Sequence, residues 1–186
     1  MKLYVITGGP ASGKTTLIAQ LKDLGNAVLE ETAREVLEER RQFAINYGEK
    51  LIREKEIFER QLRKEEAIRK NHEGYFLDRS LIDVIAYCRH HLGYVPERIK
   101  PVNLMDRYAH VFVLDRLPFI ADGTRIEKDD KEAEKIHQIL IKTYKQFGYN
   151  PVSVPIFPVD KIARRANFVL AHIKNLKGGE ENGGML

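Results

Sequence analysis

The chain has 186 residues, 43% of them apolar, and a formal net charge of +4. That length gives one domain with a core of its own, and no apolar run approaches the roughly 20 residues that a bilayer-spanning helix needs. One cysteine, Cys88, excludes an internal disulfide and, with no signal peptide ahead of the first strand, predicts a cytoplasmic protein. A near-continuous apolar run over residues 2–7 predicts a first strand, followed by a glycine-rich loop and a helix over 14–24 that stops at Gly25. Residues 26–30 form a second strand and 32–41 a second helix. A long, highly charged helix follows over 49–71, solvated apart from a narrow stripe of Leu51, Ile52, Ile57, Phe58, Leu62 and Ile68. Strands over 75–78, 110–114 and 152–154 alternate with helices over 81–92, 131–147 and 160–176. Strands that alternate with helices predict a three-layer α/β/α fold around a mostly parallel five-stranded sheet. The pattern gives one nucleotide-binding domain over 1–177 and a glycine-rich disordered tail over 178–186.

Gly8-Gly9-Pro10-Ala11-Ser12-Gly13-Lys14-Thr15 matches the phosphate-binding pattern G-x-x-x-x-G-K-[ST] in full. A strand precedes it and a helix opening with Thr16 follows, the setting in which this pattern cradles phosphates. Loop amides and the positive end of the helix converge on one anion. Lys14 is expected to stand exposed without ligand and to reach the β- and γ-phosphates, with the Thr15 hydroxyl on Mg²⁺.

Four further segments fall at strand ends, where open α/β sheets bind ligands. Asp78 closes the third strand beside the phosphate loop, placed to hold Mg²⁺ or to accept a proton from an attacking hydroxyl. Arg79 is placed to clamp a phosphoryl oxygen. Ser80 reads as a helix cap with Asp83 three residues on. After the second strand, Glu31 suits an acceptor hydroxyl or cation and Arg34 an anion; both also suit a solvated helix start. After the fourth strand, Arg116 and Arg125 bracket an irregular loop placed to close over the transferring group. Ile156-Phe157-Pro158, before the last helix, suits the two faces of a purine base. His90-His91 reads as a helix-end pair, since adjacent helical residues point apart. No basic stripe with interleaved aromatics is present, which speaks against nucleic acid as partner.

Gly8–Thr16, Glu31-Thr32-Ala33-Arg34-Glu35, Asp78-Arg79-Ser80 with Asp83, Ala86 and Tyr87, and Asp122-Gly123-Thr124-Arg125 occur in this order. Together they resemble the AAA-type P-loop ATPases related to the ribosylnicotinamide kinase domain of the bacterial regulator NadR. The resemblance implies a nucleoside-monophosphate-kinase-like fold, with Asp78 and Asp83 near the acceptor and a lid carrying Arg125. The family's aromatic-rich lid is here Pro118-Phe119-Ile120, and the chain has no Trp, which speaks against nicotinamide riboside as acceptor.

The expectation is a Mg²⁺-dependent phosphotransferase. ATP or GTP is the donor, and the acceptor is a small hydroxyl- or phosphate-bearing molecule such as a nucleoside, nucleotide or cofactor precursor. A nucleoside triphosphatase and a non-catalytic nucleotide switch remain the alternatives. The sequence does not fix the oligomeric state, a homo-oligomer included.

Overall fold

The computed structural model describes residues 2–40, 46–69, 74–99, 103–117, 129–158 and 161–181. Five strands form one sheet in the order β2-β3-β1-β4-β5, comprising β1 (Leu3–Thr7), β2 (Ala27–Leu29), β3 (Tyr75–Asp78), β4 (His110–Leu114) and β5 (Val152–Val154). Every pairing is parallel, with Ile6 opposite both Asp78 and Phe112. The helices are α1 (Lys14–Asp23), α2 (Thr32–Arg40), α3 (Tyr47–Ile68), α4 (Leu81–Leu92), α5 (Asp130–Gln146) and α6 (Lys161–Glu181). A 3₁₀ turn, Glu97–Ile99, follows α4. The last helix reaches Glu181, so its backbone runs into the segment that the composition assigns to a disordered tail.

Side chains alternate across a strand, and here both faces are covered, which is why the central strands read as unbroken apolar runs. Leu3, Val5, Leu77, Val111 and Val113 face a core shared with α3, α4 and Tyr144 of α5. Tyr4, Ile6, Phe76, Phe112, Leu114 and Val154 face the opposite core, with Leu17 and Leu21 of α1 and Ala166 and Val169 of α6. The turn between β1 and α1 therefore stands at the carboxyl edge of the middle strand, flanked by the ends of β3 and β4.

Helix α3 departs from its predicted pattern. Ile57 and Phe58 are buried, but so are Arg53, Glu54, Gln61 and Glu65, whereas Ile52 is exposed. Glu65 takes Arg107 Nε at 2.7 Å and the Tyr108 hydroxyl at 3.1 Å. Glu54 takes Arg53 Nη2 at 2.6 Å and lies 2.9 Å from His91 Nδ1. A buried carboxylate is tolerable when it is hydrogen-bonded to a partner cation. The charged face of α3 is thus an internal seam against α4 and the segment leading into β4.

Candidate active site

The phosphate loop is built around two close approaches. Gly8 has φ +145°, and a Cβ there would lie 2.8 Å from Leu114 O and 2.9 Å from Ser12 Oγ. Gly9 is pressed on α5, where a Cβ would meet His137 Cβ at 2.8 Å. Ala11 carries φ +61°, a left-handed conformation that costs an L-residue about 1 kcal/mol. Pro10 and Ser12 are buried, while the side chains of Thr15 and Thr16 on the first turn of α1 are exposed.

Lys14 is buried, contrary to the expectation of an exposed side chain. Its Nζ donates to Gly8 O and Gly9 O at 2.9 Å each and to Ser12 Oγ at 3.2 Å. An ammonium has three donors, and two loop carbonyls and the Ser12 hydroxyl take them. Burial, then the nearby Arg79 charge, lowers its pKa to about 8.

Asp78 ends β3 in the interior, 3% exposed, and its Oδ1 has no hydrogen-bond partner. Burial, then the Glu31 charge, raises its carboxyl to about 6. Glu31 moves the other way. Burial pushes it up, but Arg79 and Lys14 outweigh that and hold the carboxyl below its ordinary range. Two carboxylates with pKa values driven apart by their surroundings are the arrangement that separates a proton acceptor from a fixed charge.

Arg79 stands at the junction of β3 and α4 with φ +70°. Its Nε donates to Glu31 Oε1 at 2.7 Å, and its guanidinium lies 5.0 Å from the centre of the Tyr87 ring. Nη1 is 3.5 Å from Asp83 Oδ1 and makes no hydrogen bond. Asp83 is already committed. Thr7 Oγ1 donates to its Oδ1 at 2.5 Å; Ser80 N at 2.9 Å and the Tyr144 hydroxyl donate to its Oδ2. Ser80 is the N-cap of α4, as its sequence context predicts, and its Oγ meets the Tyr144 hydroxyl at 2.7 Å. Arg34 lies exposed on α2.

Arg116, just past β4, pairs with Glu134 at 2.9 Å and with Asp130, and its Nε is buried without a partner. Arg125 and the loop residues 118–128 lie outside the described residues.

These distances put a phosphate loop, an unpartnered carboxylate and two guanidiniums at one edge of a parallel sheet. A family model for the AAA domain matches residues 3–161. The chain belongs to the AAA-domain family. No curated protein matches it. Among solved structures, this AAA domain is similar to NadR protein in complex with NR, at 19% identity and TM-score 0.66 over 95% of this chain and 52% of that one. The chain thus spans about half the length of NadR. It is also similar to thymidylate kinase from Candida albicans, at 15% identity and TM-score 0.59, over 94% of this chain and 92% of that one. Deoxyadenosine kinase from M. mycoides, with products dCMP and dCDP bound, matches at 17% identity and TM-score 0.55 over 94% of this chain and 99% of that one. These likenesses show a shared P-loop kinase-like fold.

Two residues of this AAA domain that hold the phosphate loop lie outside its sequence motif. His137 Nδ1 accepts from Gly9 N at 3.1 Å. Arg165 Nη1 donates to Ser12 O at 2.5 Å. Each stands at a core position of its helix, among Ala133, Ile136, Leu140 and Tyr144 in α5 and beside Ala166 and Val169 in α6. A polar residue at apolar helical spacing was the available signal. Nothing in sequence spacing tells which loop it meets. Among the described residues, His90 pairs with Glu132, His91 lies between Glu54 and Arg53, and no group of three or more His, Cys, Asp or Glu side chains is disposed to hold a metal ion.

Proposed function

We propose that this AAA domain is a phosphotransferase that moves the γ-phosphoryl group of ATP, or of GTP, to a small acceptor. A nucleoside, nucleotide or cofactor precursor is the class of acceptor we infer. The observation that carries the reading is Asp78, a buried carboxylate beside the phosphate loop with one oxygen unpartnered and its pKa raised to about 6. A water-filled crevice solvates a carboxylate, whereas a desolvated one is poised to take a proton from a bound hydroxyl. The named neighbours include kinases for thymidylate and deoxyadenosine and a protein bound to NR, which supports a small acceptor.

In this reading Lys14 exchanges the carbonyls of Gly8 and Gly9 for the β- and γ-phosphates. The amides of Ala11, Ser12, Gly13, Lys14, Thr15 and Thr16 line the phosphate chain, with Gly8, Gly9 and Pro10 shaping the turn. Asp78 accepts the proton of the attacking hydroxyl as its oxygen bonds to the γ-phosphorus. The bond to the β,γ-bridging oxygen breaks, and the nucleoside diphosphate leaves with that electron pair. Arg79, Arg116 and Arg125 offset the charge on the transferring group. Glu31 fixes Arg79 and, with Arg34, borders the acceptor. Asp83 borders the acceptor and holds the Ser80 backbone and the Thr7 hydroxyl in place. The Thr15 hydroxyl is a hard oxygen donor of the kind Mg²⁺ takes and would hold the ion, with Asp78 holding it through water. When bound, Mg²⁺ neutralises phosphate charge.

A screen of nucleosides, nucleotides and cofactor precursors for acceptor-dependent ADP release tests the reading, with Lys14→Ala as control. ADP release that rises with one acceptor class and vanishes in Lys14→Ala supports it. Release that no acceptor stimulates favours a hydrolase.

A further inference from the structure

Arg165 is 4% exposed, and its guanidinium spends its donors on three backbone carbonyls from three loops. Nη1 reaches Ser12 O in the phosphate loop at 2.5 Å, Nη2 reaches Asp115 O after β4 at 2.8 Å, and Nε reaches Pro155 O after β5 at 3.1 Å. Among the described residues no carboxylate pairs with it. Asp115, whose main chain it holds, turns its own carboxylate to Ser153 Oγ at 2.7 Å. A buried cation is costly to desolvate unless something answers its charge. Carbonyl dipoles answer it in part. The Asp115 charge also favours the cation, and a triphosphate would add to it: Arg165 Nη1 stands 3.4 Å from where a Cβ on Gly13 would lie, directly behind the phosphate loop.

The geometry points to Arg165 as the positioning residue that presets the phosphate loop for the donor and ties it to the β5–α6 segment. Pro155, one of its three acceptors, precedes Ile156, Phe157 and Pro158, the residues read above as flanking a purine. Phe157 packs near Phe168 of α6, the helix that carries Arg165, their ring centres 6.4 Å apart. One planar fork therefore fixes the spacing between the place for the base and the place for the phosphates. A lysine cannot reproduce this, because one ammonium does not span three diverging carbonyls. The inference rests on the donor-binding half of the proposed function.

The test is titration of Mg-ATP and Mg-GTP into wild type, Arg165→Met and Arg165→Lys, with melting curves to show that each is folded. Steady-state kinetics follow for any acceptor that the screen yields. Arg165→Met is expected to weaken triphosphate binding at least about tenfold, the scale of losing charge-assisted hydrogen bonds behind a binding loop. Arg165→Lys keeps the charge and is expected to fall in between, at least about threefold weaker than wild type. The loss appears in KM for the donor, with kcat at saturation and KM for the acceptor little changed, because the bound triphosphate itself orders the loop. A purely structural arginine would lower the melting point and leave the donor affinity of the folded protein as it was; that result overturns the inference. Should Arg165→Met fail to fold, the lysine variant decides, and wild-type affinity in it overturns the inference equally. If wild type binds neither nucleotide, the proposed function fails with it, an outcome distinct from tight binding in all three proteins.

Discussion

Asp78 and Lys14 carry opposite charges into the same interior and have opposite consequences for pH. The raised Asp78 carboxyl means that the folded chain holds this proton more tightly than the unfolded chain does. Its contribution to stability is therefore present in acid, below the unfolded value, and is lost as pH rises to about 6. At neutral pH the wild-type protein bears a buried, half-compensated charge. Asp78→Asn removes it, so we expect the melting point at pH 7 to rise, by the equivalent of about 1 to 2 kcal/mol, while turnover falls at least about a hundredfold. A lower melting point measured by calorimetry would show that the carboxylate has a partner in solution. For the free enzyme, kcat/KM for the acceptor should climb with pH as Asp78 ionises near 6 and decline as Lys14 loses its proton near 8. A flat profile across that window would remove both groups from the rate-determining machinery.

The phosphate loop and the cap of α4 show how elements carry the site. Ser80 opens α4 through a capping box with Asp83, and the hydroxyl of Tyr144 closes the network from α5. Ser80→Ala should cost about 1 kcal/mol or somewhat more in a denaturant titration, because it strips a cap and one buried hydrogen bond. Activity should remain within a fewfold of wild type. Loss of turnover at unchanged stability would mean that Ser80 touches the acceptor. The strands and helix ends were legible in the sequence for simple reasons. Parallel strands buried on both faces are unbroken apolar runs, and helices α1, α4 and α5 run out at Gly25, Gly93 and Gly148, each with positive φ. The motif and Asp78 were legible because phosphate binding needs a fixed local spacing. The buried face of α3 was not. Glu65 is compensated by Arg107 and Tyr108, more than 40 residues away, and a charged residue whose partner lies that far off reads as a solvated one. The burial of Lys14 was missed for a related reason, since its partners are main-chain carbonyls and carry no residue identity.

For the whole molecule, the sheet order explains why one edge collects the chemistry. With β1 in the middle, its carboxyl end delivers the phosphate loop, β3 on one side delivers Asp78 and Arg79, and β4 on the other delivers Arg116. Arg165 and His137 brace that loop from α6 and α5. The family match and the likeness to kinases set the fold, and the unpartnered Asp78 oxygen is the observation on which we rest the proposal of a hydroxyl acceptor. Among the described residues no helix is long and apolar enough to cross a membrane. The central claim is the fate of the γ-phosphoryl group, and it can be followed directly with ATP labelled in that group and a panel of nucleosides, nucleotides and cofactor precursors. Label is expected in a phosphorylated organic product, equal in amount to the ADP formed and lost in Asp78→Asn. Label recovered wholly as inorganic phosphate, at a rate that no acceptor changes, would contradict it.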